Sequence, residues 1–342
     1  LPHRQRRAVL VRVDAAKAIL SMRAFVVVGI ALLLQAWLVV GVDALRGRIT
    51  GLRTMYIALT AWCLPLLAAP PLFSRDVYSY YMQGRLQVSG HNPYLSGVSL
   101  VPGWFRSGVD PLWADAATPY GPIFLHLEKA IAFVSGDSAL MAAYLLRFIS
   151  VCGVIGMALI IPRLARLHGI NAVPALWLAV MNPMVIMHFV AGSHNDSLMI
   201  AAGCAALLLS LKGRHNYAIV MAAIALGIKP VGIVLIPFIV LIAIRDETTT
   251  KAKIQICART VLLTGATMVV TSLIAGVGPL GWIGALSTPG SVRSWLSPST
   301  AIGMMWSGFL QILGLGNLSQ FTITITRSIG ALALGVSLVA LV

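Results

Sequence analysis

Charge is what this chain has least of. Only 10% of its 342 residues are Asp, Glu, Lys or Arg, against roughly a quarter in a soluble domain. Acids are the scarcer sign, 10 against 25 Lys and Arg. Cysteine is also rare: Cys63, Cys152, Cys204 and Cys257 make up the whole set. Three of these sit in apolar runs and none has metal-ligand spacing, which excludes a disulfide framework and a zinc site of the paired-cysteine kind. There is no Gly-x-x-x-x-Gly-Lys phosphate loop, no cleavable signal pattern, and no evident repeat or low-complexity tract. The alternating ten-residue pattern of a membrane barrel is missing too.

What remains is grease. Hydrophobic residues make up 58% of the chain, and the mean hydropathy is +0.90. Continuous apolar runs predict an all-α polytopic membrane protein. Spans are expected at about 24–42, 55–73, 139–161, 172–190, 197–211, 217–228, 231–244, 260–277, 300–314 and 321–342. Lys229-Pro230 splits the sixth from the seventh, giving either one kinked helix or two short helices meeting at the outer face. Interrupted helices at membrane depth line cavities, because their freed backbone groups need partners. The net charge of +15 is assigned to cytoplasmic loops facing anionic lipid, and no nucleic-acid partner is expected. The chain begins with Leu1 and its last apolar run stops at Val342, so it reads as a fragment lacking one or both natural ends. Within it a single transmembrane domain, 1–342, is expected.

The basic loops set an orientation. If the segment after Phe73 faces outward, the inward loops carry Arg46, Arg48, Arg53, Arg163, Arg166, Lys212, Arg214, Arg245, Lys251, Lys253 and Arg259. The basic stretch 1–23, patterned as an amphipathic helix, conflicts with this alternation. It is read as an interfacial helix or as a sign of earlier spans. The outward loop 74–138 is the largest polar piece; its helix-like run ending at Phe133, with Glu128 and Lys129, is expected at the interface. A second outward loop covers about 278–299.

Against this background one stretch stands out: Ser74-Arg75-Asp76-Val77-Tyr78-Ser79-Tyr80-Tyr81, directly after an apolar run. An acid at a span's end is costly unless it is paired, hydrated or functional. Asp76 is read as a general base, able to take a hydroxyl proton as the oxygen attacks carbon; the bland reading is a hydrated helix-end acid. Tyr78, Tyr80, Tyr81, Tyr94 and Tyr120, with Trp104 and Trp113, suit sugar stacking but also suit an interfacial aromatic belt. His194-Asn195-Asp196 can orient a sugar or help place Asp76, and Asn or Asp there can equally cap the following helix. Lys229, alone beside Pro230, needs an anion, a carboxylate or water; a lipid phosphate would satisfy it. Arg293 is a similar candidate, whereas His188 reads as a packed histidine. No metal ligand set is assigned: one His-Asp pair is too weak a signal.

Several motifs carry a resemblance. Phe73 to Tyr80, then Gln83-Gly84-Arg85, Gly90-His91-Asn92-Pro93-Tyr94, Pro119-Tyr120-Gly121-Pro122, His194-Asn195-Asp196, Gly227-Ile228-Lys229-Pro230 and Trp295 to Thr300 resemble the actinobacterial alpha-1,6-mannopyranosyltransferases. Those are GT-C glycosyltransferases that use polyprenyl-phosphate mannose and build lipomannan and lipoarabinomannan. The resemblance implies a GT-C-like helical bundle whose first large outward loop, 74–138, carries the catalytic acid, Asp76. It implies a multi-pass plasma-membrane enzyme with an extracytoplasmic site, a lipid-linked mannose donor and a mannan or lipoglycan acceptor. Substrate contacts are expected from Arg75, Tyr78, Tyr80, Arg85, Asn92, Tyr94, Tyr120, His194, Asn195, Asp196, Lys229 and Arg293. No cofactor is required; a divalent metal is compatible, but nothing in the sequence calls for one. The alternatives are a lipid-linked-sugar flippase or transporter, which broken helices and a buried lysine would also suit, and a protein O-mannosyltransferase.

Overall fold

The structure, a computed structural model, describes residues 3–286, 288, 293, 295 and 297–340. Part of the expected loop 278–299 (287, 289–292, 294 and 296) therefore lies outside the described residues. No strand occurs among the described residues, and the chain is an all-α polytopic membrane protein. It divides into two compact units after Ala285.

In the first unit, α1 (His3–Leu45) and α2 (Leu52–Ala68) precede the site helix α3 (Asp76–Val88). After loop 89–121 come α4 (Pro122–Ser135), α5 (Ala139–Leu167), α6 (Ala172–Ala179) and α7 (Pro183–Ala191). Then follow α8 (Asp196–Leu211), α9 (His215–Ile228), α10 (Leu235–Ile244), α11 (Thr250–Ala275) and the short α12 (Gly281–Ala285). Among the described residues, three helices are long and apolar enough to cross a membrane by themselves: Ser21–Leu45 within α1, Ala139–Leu167 and Thr250–Ala275. The pair α6 and α7 passes as a bent span, broken by 48° where Asn182 and Pro183 interrupt the ladder. Asn182 caps the new helix, its side chain accepting from Met184 N. The basic N-terminal stretch is not a separate interfacial helix: it continues without a break into the first span.

α1 stands at the edge of its unit, with 6% of its apolar window buried. Its attachment is a reciprocal clasp with α6. Trp37 Nε1 donates to Trp177 O at 3.2 Å and Trp177 Nε1 donates to Trp37 O at 2.8 Å. The two rings stack at 4.7 Å. Gly41 leaves the space: a Cβ there would lie 2.1 Å from the Trp177 ring.

The Lys229-Pro230 break resolves as a helical hairpin. Lys229 is extended (φ −142°, ψ 125°) and Pro230 opens a tight 3-10 turn that leads into α10. Ile219 and Ile239, each ten residues from Lys229, share one buried cluster with Ala206, Ala218 and Ala222. Gly232 lies close against Ala225. The chain therefore folds back on itself, with Lys229 at the tip. This is the second of the two forms the sequence allowed.

α3 and α4 pack at very close approach. A Cβ on Gly84 would sit 2.1 Å from Glu128 O, so only glycine fits. α4 is not a helix lying on a surface: Glu128 is completely buried, and its carboxylate oxygens have no hydrogen-bond partner. Helix alternation places the loops after α1, α5, α8 and α10, which hold the basic clusters, at the end opposite Asp76. The second unit is a pair, α13 (Pro298–Ile312) and α14 (Ser319–Ala340), in close contact through Gly303 and Thr322, whose Oγ1 donates to Gly303 O at 2.8 Å.

Candidate active site

Two chain segments meet at one end of the first unit. The first leaves α2, is tied by Leu72 N to Ala191 O at 3.1 Å, and turns at Phe73. Phe73 has φ 68°, a left-handed conformation costly for a bulky residue. Ser74 Oγ then accepts from Asp76 N at 3.0 Å, and α3 starts at Asp76. The second segment leaves α7 through wider π-helical turns at Ile186–Ala191, which places His188 at this end. It turns at Ser193, also left-handed at φ 57°, and presents His194. Strained non-glycine residues held by their surroundings are typical of functional sites, and here one stands at the root of each segment.

The segments face each other. His194 Nδ1 lies 3.5 Å from Asp76 Oδ2, and the Asp76 side chain keeps 31% exposure. At that distance the contact is no strong hydrogen bond, so the carboxylate remains free to accept another. The His194 ring stacks on His188 at 3.9 Å with an interplanar angle of 10°. Burial first, and then the charge of His188, lower the His194 pKa below its ordinary value; Asp76 and Asp196 pull the other way. Neutral imidazole is the resting form at pH 7. Asp196, at the start of α8, accepts from Lys229 Nζ at 2.7 Å, joining the hairpin tip to the same site. A small cleft lies beside Asp76, between Ser79, Gln83, Trp113, Pro119 and Tyr120. It encloses about 20 Å³, room for a water.

Nitrogen and oxygen atoms of His188, His194 and Asp196 lie within 4.8 Å of one another, a spacing that a metal ion could bridge. The arrangement is poorly set for one. The two rings stack in parallel, and Asp196 is already committed to an ammonium.

The other sequence candidates divide by location. His194, Asp196 and Lys229 come together with Asp76. Asn195 stands at the cap position of α8 but makes no capping bond; its side-chain atoms are buried and unpartnered. Of the five loop tyrosines, Tyr80, Tyr81, Tyr94 and Tyr120 are buried and Tyr78 is half-buried. Tyr80 is 1% exposed and sits edge-on to Tyr120 and Phe124. Tyr81 OH donates to Gly136 O at 2.7 Å, and Tyr94 OH donates to Tyr120 O at 3.0 Å. Tyr78 packs on Gly108. Of the group, Tyr120 also lines the cleft. Arg85 is drawn away from the site into an ion pair with Asp137 at 2.6 Å. Asn92 closes its own turn, Oδ1 accepting from Tyr94 N at 3.0 Å. Arg75 is exposed at the start of α3. Arg293 belongs to the second unit, donating to Ser319 Oγ at 3.2 Å and Gln320 Oε1 at 2.9 Å.

Two of the sequence motifs prove to be one seam. Gly121 N donates to Ile228 O at 3.1 Å, so the Pro119–Pro122 turn lies directly on the hairpin tip. The supporting residues of α5 gave no signal in the sequence beyond their polarity in an apolar run. Ser150 Oγ lies 2.7 Å from Phe189 O and 2.8 Å from His194 O, and Ser197 Oγ donates to Ser150 O at 2.8 Å. One turn earlier, Arg147 reaches Leu67 O, Ala69 O, Ala191 O and Ser193 Oγ.

Comparison with known proteins shows the family of this chain. The family model for the alpha-(1->6)-mannopyranosyltransferase N-terminal domain matches residues 2–245. Alpha-(1->6)-mannopyranosyltransferase A of Mycobacterium tuberculosis is 33% identical over 91% of this chain and 61% of its own length. The protein named alpha-(1->6)-mannopyranosyltransferase A in Corynebacterium glutamicum is 32% identical over 76% of this chain and 58% of its own length. A probable alpha-(1->6)-mannopyranosyltransferase of Mycolicibacterium smegmatis is 31% identical over 90% of this chain. The chain thus spans about three-fifths of the length of these relatives. No solved structure matches it. With one model matched across residues 2–245 and a relative 33% identical over 91% of it, the chain belongs to the alpha-(1->6)-mannopyranosyltransferase family.

Proposed function

We propose that the chain carries the catalytic site of an integral membrane mannosyltransferase, with Asp76 as its general base. The donor is a polyprenyl-phosphate mannose and the acceptor an alpha-1,6-mannan of the lipomannan and lipoarabinomannan type. The site faces outward from the plasma membrane. The acceptor's 6-hydroxyl oxygen attacks the anomeric carbon as its proton passes to Asp76. The bond from that carbon to the phosphate oxygen breaks, and its electron pair leaves with the phosphate, so the anomeric configuration inverts. Lys229 lies where it can share its charge between Asp196 and the departing phosphate, favouring the transition state over the ground state. His194 stands beside Asp76 as a neutral ring and forms no ion pair with it.

The observation that carries this reading is the half-open Asp76 carboxylate, positioned across 3.5 Å from His194 and sharing its site with the Lys229–Asp196 pair. The test uses membranes holding the full protein, labelled polyprenyl-phosphate mannose and an alpha-1,6-mannoside acceptor. Asp76→Asn keeps the shape and removes the base, so transfer should fall by a factor of about 100 to 10,000 at unchanged protein level. A folded Asp76→Asn protein that extends the acceptor at the parent rate would remove Asp76 from this role. Label that crosses the bilayer without entering a longer glycan would instead indicate a flippase.

A further inference from the structure

Arg147 is a charged side chain inside an apolar helix, buried to 3% exposure. Its acceptors are three backbone carbonyls and a hydroxyl, none of them a carboxylate. Nε donates to Ser193 Oγ at 3.3 Å, one terminal nitrogen to Leu67 O at 3.0 Å and to Ala69 O, and the other to Ala191 O at 3.4 Å. Leu67 and Ala69 lie at the end of α2, on the segment that leads to Asp76. Ala191 and Ser193 lie on the segment that leads to His194. One rigid planar fork thus grips both site segments at their roots, beside the left-handed residues Phe73 and Ser193. The grip is braced from the same helix face. Ser150 holds the carbonyls of Phe189 and His194, and Gly153 lets α8 approach so closely that a Cβ there would meet Ser197 at 2.6 Å.

We infer that Arg147 is a positioning residue that sets the Asp76–His194 geometry. It does so by fixing the α2–α3 and α7–α8 turns to a common point on α5. This rests on the proposal above that Asp76 is the base. A point charge in its place, as lysine provides, cannot reach both turns in one plane, so the two segments lose their common reference. Misplacement of about 1 Å at a reacting centre is enough to cost about 100-fold in rate.

The test is a double-mutant cycle on the full protein in membranes, with polyprenyl-phosphate mannose as donor. Arg147→Lys should lower kcat by about 10-fold to 100-fold, leaving the donor KM within about twofold and the detergent-melting temperature close to the parent's. In a His194→Ala background, where the geometry has already been lost, the same substitution should cost less than about threefold. Equal losses in both backgrounds would overturn the inference, because a substitution that merely destabilises the helix multiplies independently of His194. Ser193→Gly provides a second arm. Glycine accepts φ 57° without strain, so folding is preserved while the Oγ contact is removed; kcat should drop, again only when His194 is present. Parent activity in Ser193→Gly together with Arg147→Lys would also overturn it. The base assignment has its own separate readout, since only Asp76→Asn bears on that.

Discussion

Glu128 shows how much a single side chain can reveal. It is wholly buried on α4, outside the candidate spans, and burial pushes its carboxyl well above the usual carboxylate range. The folded protein therefore holds a proton that the unfolded chain releases near the ordinary value of 4.5. The sign follows from proton counting: where the native state binds more protons, stability falls as pH rises. The contribution is complete below about 4.5 and is lost as pH climbs toward the raised value. Glu128→Gln stays neutral throughout, so its melting temperature should exceed the parent's by a margin that widens from pH 5 to pH 8. Parallel curves would mean that the carboxyl finds a partner. From sequence, Glu128 was one unremarkable acid in an amphipathic run, because burial is set by α3 and α11 packing on it. Arg147 was silent for a related reason: its partners are carbonyls, and backbone carbonyls leave no trace in a sequence. Asp76, by contrast, was legible because an acid at the end of an apolar run stands out against so few charges.

At the level of elements, the seam between the Pro119–Pro122 turn and the hairpin tip concentrates several constraints. Gly121 donates to Ile228 O, and a Cβ on it would lie 2.3 Å from Gly227 O and 2.8 Å from Leu226 O. Those neighbours are backbone and cannot rotate away. Gly121→Ala should therefore destabilise the protein by about 1–3 kcal/mol, read as a lower melting temperature, and should weaken transfer by displacing Lys229. Gly213→Ala, strained only by its left-handed φ of 71° with open space around it, should cost less and leave transfer intact. The break at Lys229-Pro230 was readable, since proline removes a backbone donor and ends a helix. The reversal that follows was not, because a hairpin and a kinked helix present the same two apolar runs. The packing of the tyrosines was unreadable for a related reason. Aromatic enrichment reads alike in a belt, a sugar platform and a core, and edge-on packing of Tyr80 on Phe124 is decided by residues far apart in the chain.

At the scale of the whole molecule, the charge distribution and the alternation of helices agree, with the basic loops at the end opposite Asp76. The proposed orientation makes a labelling prediction. With the natural cysteines replaced, Leu95→Cys, at an exposed loop position, should react with an impermeant maleimide in intact cells. Thr248→Cys, in the loop after α10, should react only after the membrane is opened. The reverse pattern would turn the site inward. The segregation of the basic loops to one end was visible in the sequence because loop arginines and lysines record it directly; which side of the membrane they face is what the labelling tests. The division into two units was not drawn from the sequence, because the polar stretch 287–294 that follows the boundary reads there simply as an outward loop. The tryptophan clasp has a consequence of its own, for assembly. Its partners are separated by 140 residues, so during synthesis Trp37 waits for Trp177. At 5–20 residues per second that delay is on the order of 10 s. Throughout it α1 lies in the lipid without α6, its indole face open to whatever insertion factor or quality-control protease recognises an unpaired helix face. The clasp is thus a late step in biogenesis: it closes only once α6 has entered the bilayer.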